Sequence, residues 1–145
     1  MVKTLEDAIV LATHAHAGQL DKVGKPVILH PIRVMLACMT PKQMMVAILH
    51  DVIEDTNVTL QDLLDDGYPV DIVDAVDSVT KRDGESFEEF IERCSKNQLG
   101  SEVKYVDISD NMSPARQIGL ALEKRVELRA KYQKALKFLS GVEYK

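Results

Sequence analysis

The chain has 145 residues, a formal net charge of −5 at pH 7, and 46% hydrophobic and 28% charged residues. This length predicts one domain over residues 1–145, large enough to bury about two thirds of the surface of the unfolded chain. The acidic balance and the lack of a basic tract argue against duplex nucleic acid as a partner.

The N-terminal segment predicts a helix rather than a signal peptide. Thr4 suits the N-cap position with Asp7 as its reciprocal partner, an apolar stripe follows over residues 5–15, and Gly18 ends the helix. The acidic Glu6 and Asp7 precede any apolar run, which does not suit a signal peptide. No stretch has the apolar length needed to span a bilayer. We therefore expect a cytoplasmic protein with no membrane partner.

The sequence next predicts two helices, the second of which is buried and ends at a charged segment. Pro31 suits the first turn of a short helix after a loop over residues 19–29. The run Thr40-Pro41-Lys42-Gln43 then combines a cap, a proline at the first position and a glutamine at the third. Residues 44–49 are apolar almost all round, which is typical of a buried central helix. Because His50-Asp51 follows directly, this end of the helix must reach a cleft.

The remaining pattern is also helical. The predicted helices are Thr59 to Asp66 closed by Gly67, Pro69 to Val79, one starting after Ser86, Ser101 to Met112, and a C-terminal helix over about 114–140 that ends at Gly141. No alternating strand of useful length is visible, so the fold class is all-α. Cys38 and Cys94 show no CxxC spacing, which favours reduced, buried thiols over a disulfide or a zinc finger.

The segment from His50 to Thr56 holds an imidazole, three carboxylates and a hydroxyl next to an apolar run. Ionised groups lose several kcal/mol of hydration on leaving water, so either this helix end is exposed or a cation holds the charges there. A metal ion is the economical candidate, and His30 and Asp107 are further candidate ligands. Such a mixed nitrogen and oxygen set suits Mn²⁺, Fe²⁺, Zn²⁺ or Co²⁺ better than Ca²⁺ or a thiolate site.

Each of these residues also has an ordinary explanation. A histidine next to an aspartate is more often a surface or helix-end feature than a ligand pair. His30 before Pro31 could mark a helix start, and Asp107 alone is an ordinary helix acid. Glu54 and Asp55, however, are unfavourable for the dipole at a helix C-terminus, which favours a functional role.

Four segments together resemble a known family. They are Ala15-His16-Ala17-Gly18-Gln19, Gly24-Lys25-Pro26-Val27-Ile28-Leu29-His30-Pro31, Leu49-His50-Asp51-Val52-Ile53-Glu54-Asp55-Thr56 and Val106-Asp107-Ile108-Ser109-Asp110-Asn111-Met112. Their order and spacing from about residue 5 to 115 resemble the HD-domain metal-dependent phosphohydrolases. Within these, the resemblance is to the (p)ppGpp hydrolase domain of RelA/SpoT-type proteins and to stand-alone small alarmone hydrolases. It implies an all-α HD-domain helical bundle.

The resemblance also implies roles for individual residues. A Mn²⁺ ion, or another divalent transition metal, would be held by His30, His50, Asp51 and Asp107. Glu54 and Asp55 would position or deprotonate the attacking water. Lys22 and Asn111 would contact a nucleotide substrate. The implied reaction removes the 3′-pyrophosphate of guanosine tetra- or pentaphosphate and releases pyrophosphate.

The sequence departs from this family around the substrate. Asp21 stands where the family usually carries an arginine that packs on the base, and arginine can stack on a ring whereas aspartate cannot. Val27 replaces a tyrosine. The family's Asp-Arg-Leu-His-Asn is here Asp107-Ile108-Ser109-Asp110-Asn111, and Ser113 stands at the basic position that follows, so at least two positive charges near the site are lost. Two alternatives therefore stay open: a phosphohydrolase acting on another nucleotide or phosphoester, and a catalytically silent nucleotide-binding module. No sequence feature predicts an oligomeric state.

Overall fold

The computed structural model describes residues 2–141, which form helices and no strand within that range. In chain order the helices are α1 Leu5–Ala15, α2 Leu29–Ala37, α3 Pro41–Leu49, α4 Val52–Asp55, α5 Leu60–Asp66, α6 Val70–Ser78, α7 Phe87–Ser95, α8 Gln98–Asn111, α9 Pro114–Gln117 and α10 Leu122–Ser140. None of these helices is both long and apolar enough to cross a membrane. The all-α prediction is confirmed, and the assignment of residues 1–145 to one domain stays a prediction.

Helix starts follow the capping signals of the sequence. Capping boxes, in which a hydroxyl side chain and the third helical residue exchange hydrogen bonds, begin α1, α3, α5 and α7 at Thr4, Thr40, Thr59 and Ser86. Each box satisfies backbone N–H groups that have no partner inside the helix. These starts are therefore encoded within a few residues of the chain.

One predicted helix start is confirmed and one shifts. Helix α2 begins at Leu29, so Pro31 lies in its first turn, as predicted. Helix α8 begins at Gln98, three residues earlier than predicted. The side chain of Asn97 caps it by accepting a hydrogen bond of 2.8 Å from the backbone N–H of Gly100.

The prediction of one C-terminal helix over about 114–140 is wrong. The chain forms α9, leaves helical geometry at Ile118 with ψ 134°, and starts α10 only at Leu122. Gly119 between them has φ +84°, a left-handed conformation that glycine adopts without the steric cost of a side chain. Residues of α9, of this break and of α10 line the cavity described below.

The centre of the fold is α3. Its residues Val46 to Leu49 have no exposed surface, and the helix packs against α1, α2, α6 and α8. This confirms the predicted buried helix. A smaller cluster of Ile91, Ile108, Ala135 and Leu139 joins α7, α8 and α10. The end of α3 therefore lies where α2 and α8 meet it, and this meeting point carries the candidate site.

A close approach of α6 and α8 depends on Gly100. A Cβ atom at Gly100 would lie 1.9 Å from Ser78 Oγ and 3.3 Å from the backbone oxygen of Ala75. Because Ser78 is buried and donates to that same oxygen, its side chain has little room to yield. We expect Gly100→Ala to lower the free energy of unfolding by about 1–3 kcal/mol through overpacking, as measured by urea denaturation.

The matched control for this change is Gly141→Ala. A Cβ atom there would meet nothing closer than 3.5 Å, so the substitution should leave the unfolding free energy within about 0.5 kcal/mol of wild type. Equal stability of the two variants would contradict the close contact of α6 with α8.

Arg93 ties α7 to the end of α6. It donates to both carboxylate oxygens of Glu85, at 2.8 and 3.0 Å, and to the backbone oxygens of Asp77 and Thr80. The side-chain hydrogen bonds from Arg93 lower the pKa of Glu85 from 4.5 to about 2. A carboxyl whose pKa is lower in the folded state stabilises the fold above its unfolded pKa and loses that contribution as pH falls toward the folded value.

We expect Glu85→Gln to destabilise the protein by about 1.5 kcal/mol at pH 7, the typical contribution of a charge-assisted hydrogen bond. The difference from wild type should shrink below pH 4.5 and disappear near pH 2. Urea denaturation at pH 7, 4 and 3 measures it. The control is Glu88→Gln, whose ion pair with Lys134 is fully on the surface and should contribute less than about 0.5 kcal/mol. A pH-independent effect of Glu85→Gln would contradict the assignment.

Candidate metal centre

The candidate centre begins where α3 ends. His50 and Asp51 form a turn between α3 and α4 in which both residues keep right-handed helical dihedral angles. The N–H of Asp55 donates to the backbone oxygen of Asp51 at 3.0 Å, so α4 follows one helical turn later. Glu54 and Asp55 therefore lie one turn beyond the His-Asp pair, as the spacing in the sequence predicts.

Four side chains from three parts of the chain meet at this turn. His30 Nε2 of α2 lies 2.8 Å from Asp107 Oδ1 of α8, and both lie close to His50 Nε2, at 3.2 and 3.3 Å respectively. Asp51 Oδ2 lies 3.2 Å from His50 Nε2 and 3.9 Å from His30 Nε2. His30, His50 and Asp107 are buried, and they form a group whose ligand atoms all lie within 4.8 Å of one another. The structure thus brings together the residues predicted as metal ligands.

The outer nitrogen of each histidine is engaged, which turns its Nε2 toward the centre. His50 Nδ1 lies 2.5 Å from the backbone oxygen of Ala47, and His30 Nδ1 lies 2.6 Å from Asp110 Oδ2. Since both partners accept hydrogen bonds, Nδ1 carries the proton in each ring. With Nδ1 engaged in this way, Nε2 of each ring is the nitrogen that faces the carboxylates of Asp51 and Asp107. Two imidazole nitrogens and two carboxylates that converge in this way form a donor set that fits a divalent metal ion.

The electrostatics of the cluster also favour a cation. Burial opposes protonation of His50, but the carboxylates of Asp51 and Asp107 outweigh it and raise the pKa of His50 well above its usual range. Burial likewise opposes ionisation of Asp107, but Lys104 and His50 hold its pKa well below the ordinary value. Both carboxylates are therefore ionised at neutral pH, and the centre attracts positive charge.

A cavity of about 330 Å³ opens beside the cluster. It is lined by His30, Asp51 and Asp55 from the centre, by Lys22 and Asn111, and by Arg116, Tyr132 and apolar residues of the loop after α1 and of α9 and α10. Both residues predicted to bind substrate therefore line it. Asn111 also has a buried Oδ1 with no hydrogen-bond partner among residues 2–141, which is consistent with a ligand contact.

The two carboxylates predicted to act on water, Glu54 and Asp55, lie on α4, directly after the His50-Asp51 turn. Asp55 lines the cavity, whereas Glu54 is not part of its lining. Both residues are exposed overall, but partial burial of each carboxyl group raises its pKa. The negative charge of Asp51 is the second-largest cause and raises both pKa values further. A raised pKa makes a carboxylate a better proton acceptor near neutral pH.

Several residues of the centre are not found by reasoning from the sequence. Lys104 lies 2.7 Å from Asp107 Oδ2 through its Nζ and only 12% of its side chain is exposed. Its position one turn before Asp107 is a spacing that could have identified it. Arg33 and Asp110 support His30, and Arg116 of α9 brings a cation to the cavity. No local pattern indicates these contacts.

His16 supports the site from α1. It is buried and its Nδ1 lies 2.8 Å from Gln19 Oε1, while the amide of Gln19 donates to the backbone oxygen of Asp55 at 2.9 Å. His14, two residues earlier, is exposed. The segment around His16 therefore anchors the end of α4 rather than the metal ligands.

In sequence, part of the chain is similar to hydrolases of guanosine polyphosphates. No protein-family model matches it. Over 102 residues, or 66% of this chain, it is 35% identical to the bifunctional (p)ppGpp synthase/hydrolase SpoT of Escherichia coli. Over 100 residues it is 37% identical to the guanosine-3′,5′-bis(diphosphate) 3′-pyrophosphohydrolase of Vibrio cholerae. The aligned part spans 14% of the length of each of these relatives.

A solved structure of similar fold comes from a related protein. It is that of a metazoan ortholog of SpoT that hydrolyses ppGpp and plays a role in starvation responses. The two structures agree with a TM-score of 0.79 at 24% identity, covering 94% of this chain and 85% of the other. The described residues therefore share the all-helical fold of this SpoT ortholog, and about two thirds of the chain resembles SpoT-type (p)ppGpp hydrolases in sequence.

Proposed function

We propose that this protein is a metal-dependent phosphohydrolase that removes the 3′-pyrophosphate of guanosine 3′,5′-bis(diphosphate). The observation that carries the proposal is the convergence of His30, His50, Asp51 and Asp107 at the edge of a cavity. The relatives named above, which are hydrolases of this nucleotide, support the choice of substrate.

We propose Mn²⁺ as the resident ion, held by the two Nε2 atoms and by the carboxylates of Asp51 and Asp107. The mixed nitrogen and oxygen donors support it, and Co²⁺, Fe²⁺ and Zn²⁺ suit the same set. A divalent ion bound there supplies Lewis-acid stabilisation of phosphoryl charge and makes water more acidic. Lys104 offsets part of the negative charge of Asp107, so the four ligands carry less than their full formal charge.

The residues of the chain can move the protons that hydrolysis requires. One water oxygen adds to the phosphorus attached to the ribose 3′-oxygen, and the bond between that phosphorus and the 3′-oxygen breaks. The proton released by the water passes to a carboxylate at Glu54 or Asp55, whose raised pKa values suit this role. A proton then goes to the leaving 3′-oxygen, so the products are pyrophosphate and GDP.

Substrate binding is assigned to the other residues that line the cavity. Lys22 and Arg116 are the cations that line it, and they suit the phosphate groups of a nucleotide. Asn111 offers its unpartnered Oδ1 to a donor of the substrate. Tyr132 and the apolar residues of α9 and α10 provide a surface for the base.

The direct test is incubation of the purified chain with guanosine 3′,5′-bis(diphosphate) and Mn²⁺. Separation of the products by anion exchange should show GDP and pyrophosphate in equal amounts. Release of single phosphates would indicate a different cleavage site. No turnover at micromolar enzyme with Mn²⁺, Co²⁺, Fe²⁺ or Zn²⁺ would overturn the proposed activity.

A second candidate keeps the chemistry and changes the nucleotide. It is favoured by Asp21, whose Oδ1 accepts hydrogen bonds from the backbone N–H groups of Val23 and Lys25, both at 2.9 Å. This side chain is thereby used to shape its own loop and offers no cation to a base. A screen of nucleotides and simple phosphate esters separates the candidates, since turnover of another compound at a higher kcat/KM would favour the second. A protein that takes up no metal and hydrolyses none of them would instead be a silent nucleotide-binding module.

We further propose that the protein acts in the cytoplasm, with a nucleotide as its small-molecule partner. The net charge of −5 supports the absence of duplex nucleic acid as a partner, because a polyanion is repelled by an acidic surface. Fractionation of cells that express the full chain tests its location.

A further inference from the structure

A chain of three polar side chains lies behind the candidate metal centre. Asp110 Oδ2 accepts from His30 Nδ1 at 2.6 Å, and Arg33 donates to the same carboxylate, from Nε to Oδ1 at 2.9 Å and from Nη2 to Oδ2 at 3.1 Å. The contact is well shielded, since 4% of the His30 side chain, 12% of Asp110 and 34% of Arg33 are exposed. The chain joins α2 to α8.

Its arrangement repeats on both helices. His30 and Arg33 lie three residues apart on α2, and Asp107 and Asp110 lie three residues apart on α8. Residues at this spacing share one face of a helix. Each helix thus contributes one side chain to the centre and one side chain, a turn later, to the support behind it.

This geometry decides which nitrogen of His30 faces the centre. A carboxylate only accepts hydrogen bonds, so Nδ1 of His30 donates to Asp110, and Nε2 is the nitrogen that faces Asp107 and His50. Arg33 grips both oxygens of the carboxylate and fixes its plane, so Asp110 cannot turn away from the ring. The ring of His30 is therefore held in one orientation, with Nδ1 on Asp110 and Nε2 toward the centre.

We propose that Asp110, held by Arg33, is a positioning residue that prepares His30 to bind a divalent metal ion. The inference rests on the proposed function, because it needs the metal centre to exist. Carboxylates that accept from the outer nitrogen of a ligating histidine raise its basicity and fix its direction, and their loss costs about 10–100-fold in metal affinity. A purely structural ion pair between α2 and α8 would change stability without this loss.

The test combines metal affinity with the state of the imidazole ring. Titration calorimetry with MnCl₂ on the full chain gives Kd for wild type and variants, and long-range ¹H–¹⁵N NMR of the metal-free protein at pH 8 reports which nitrogen of His30 is protonated. We expect Nδ1–H in wild type. In Asp110→Ala we expect loss of this preference and a Kd about 10–100-fold higher. Asp71→Ala is the control, because it breaks an exposed ion pair with Lys42 at the other end of α3.

A second variant keeps the proposal testable if Asp110→Ala folds poorly. Arg33→Gln leaves the acceptor in place and should raise Kd by less than Asp110→Ala does. The double variant should bind Mn²⁺ no more weakly than Asp110→Ala alone, because Arg33 acts through Asp110. Additive losses in Kd would instead indicate independent roles and would overturn the proposed chain.

The outcomes separate this inference from the proposed function. A wild-type protein that binds Mn²⁺ and hydrolyses nucleotide, with Kd unchanged in Asp110→Ala, overturns the positioning role alone. Protonation of His30 at Nε2 without Nδ1 in the metal-free protein overturns it as well. A wild-type protein that binds none of the divalent metals overturns the metal centre, and the positioning role with it.

Discussion

Alanine at position 51 is expected to abolish metal retention and turnover together. Asp51 Oδ2 lies 3.2 Å from His50 Nε2 on the open side of the centre, so Asp51→Ala removes one of the four donors and one negative charge. A metal contributes several kcal/mol to stabilising the reacting phosphoryl group, and a loss of about 4 kcal/mol corresponds to about 1000-fold in rate. Metal content after gel filtration and the initial rate of pyrophosphate release measure the two effects.

The control for this variant is Asp74→Ala, on the exposed face of α6. It removes the same charge from the chain and should retain wild-type metal content and rate. If Asp51→Ala kept its metal, or kept its rate after losing it, the assignment of Asp51 as a ligand would fail.

Glu54→Gln is expected to separate binding from chemistry. Burial and the neighbouring charges of Asp51 and Asp55 raise the pKa of Glu54, which makes it a proton acceptor, and glutamine keeps its shape without that capacity. We expect unchanged metal content and a kcat lower by about 100- to 1000-fold, within the range of general acid–base catalysis. Metal analysis and steady-state kinetics on the same preparation measure both.

The equivalent change at the next residue, Asp55→Asn, identifies which carboxylate carries the proton. Asp55 lines the cavity and Glu54 does not, so the larger loss at Asp55 would assign the proton acceptor to the cavity wall. Glu92→Gln on α7 is the matched surface control. Metal loss in Glu54→Gln equal to that in Asp51→Ala would contradict the separate roles.

Only part of the candidate metal centre can be predicted from the sequence alone. His50 and Asp51 are adjacent, and the apolar run before them already implies either an exposed helix end or a cation that compensates the charge. His30 and Asp107 become convincing ligands only through the resemblance to a family, since each alone has an ordinary explanation. Lys104 was not predicted, although it lies one turn from Asp107 and pairs with it.

Comparison with the family pattern does not predict the role of Asp110. Read along the chain, it is a departure that removes a basic residue next to the substrate. In the structure it accepts from His30 and pairs with Arg33, so the same residue becomes a support for the centre. Its meaning depends on which side chains face it, and that is settled by the packing of α2 against α8.

The sequence by itself determined the helical class, the starts of α1, α3, α5 and α7 and the burial of α3. These features depend on hydrogen bonds between residues three apart and on a periodic apolar pattern, both of which are local. Only the tertiary structure decided the break between α9 and α10, the shape of the cavity and the support of His30 by Asp110 and Arg33. The contacts of His30 with Asp107 and Asp110 join residues 77 and 80 positions apart. Such contacts form only when the buried faces of α2, α3 and α8 pack together, and no short pattern in the chain encodes that packing.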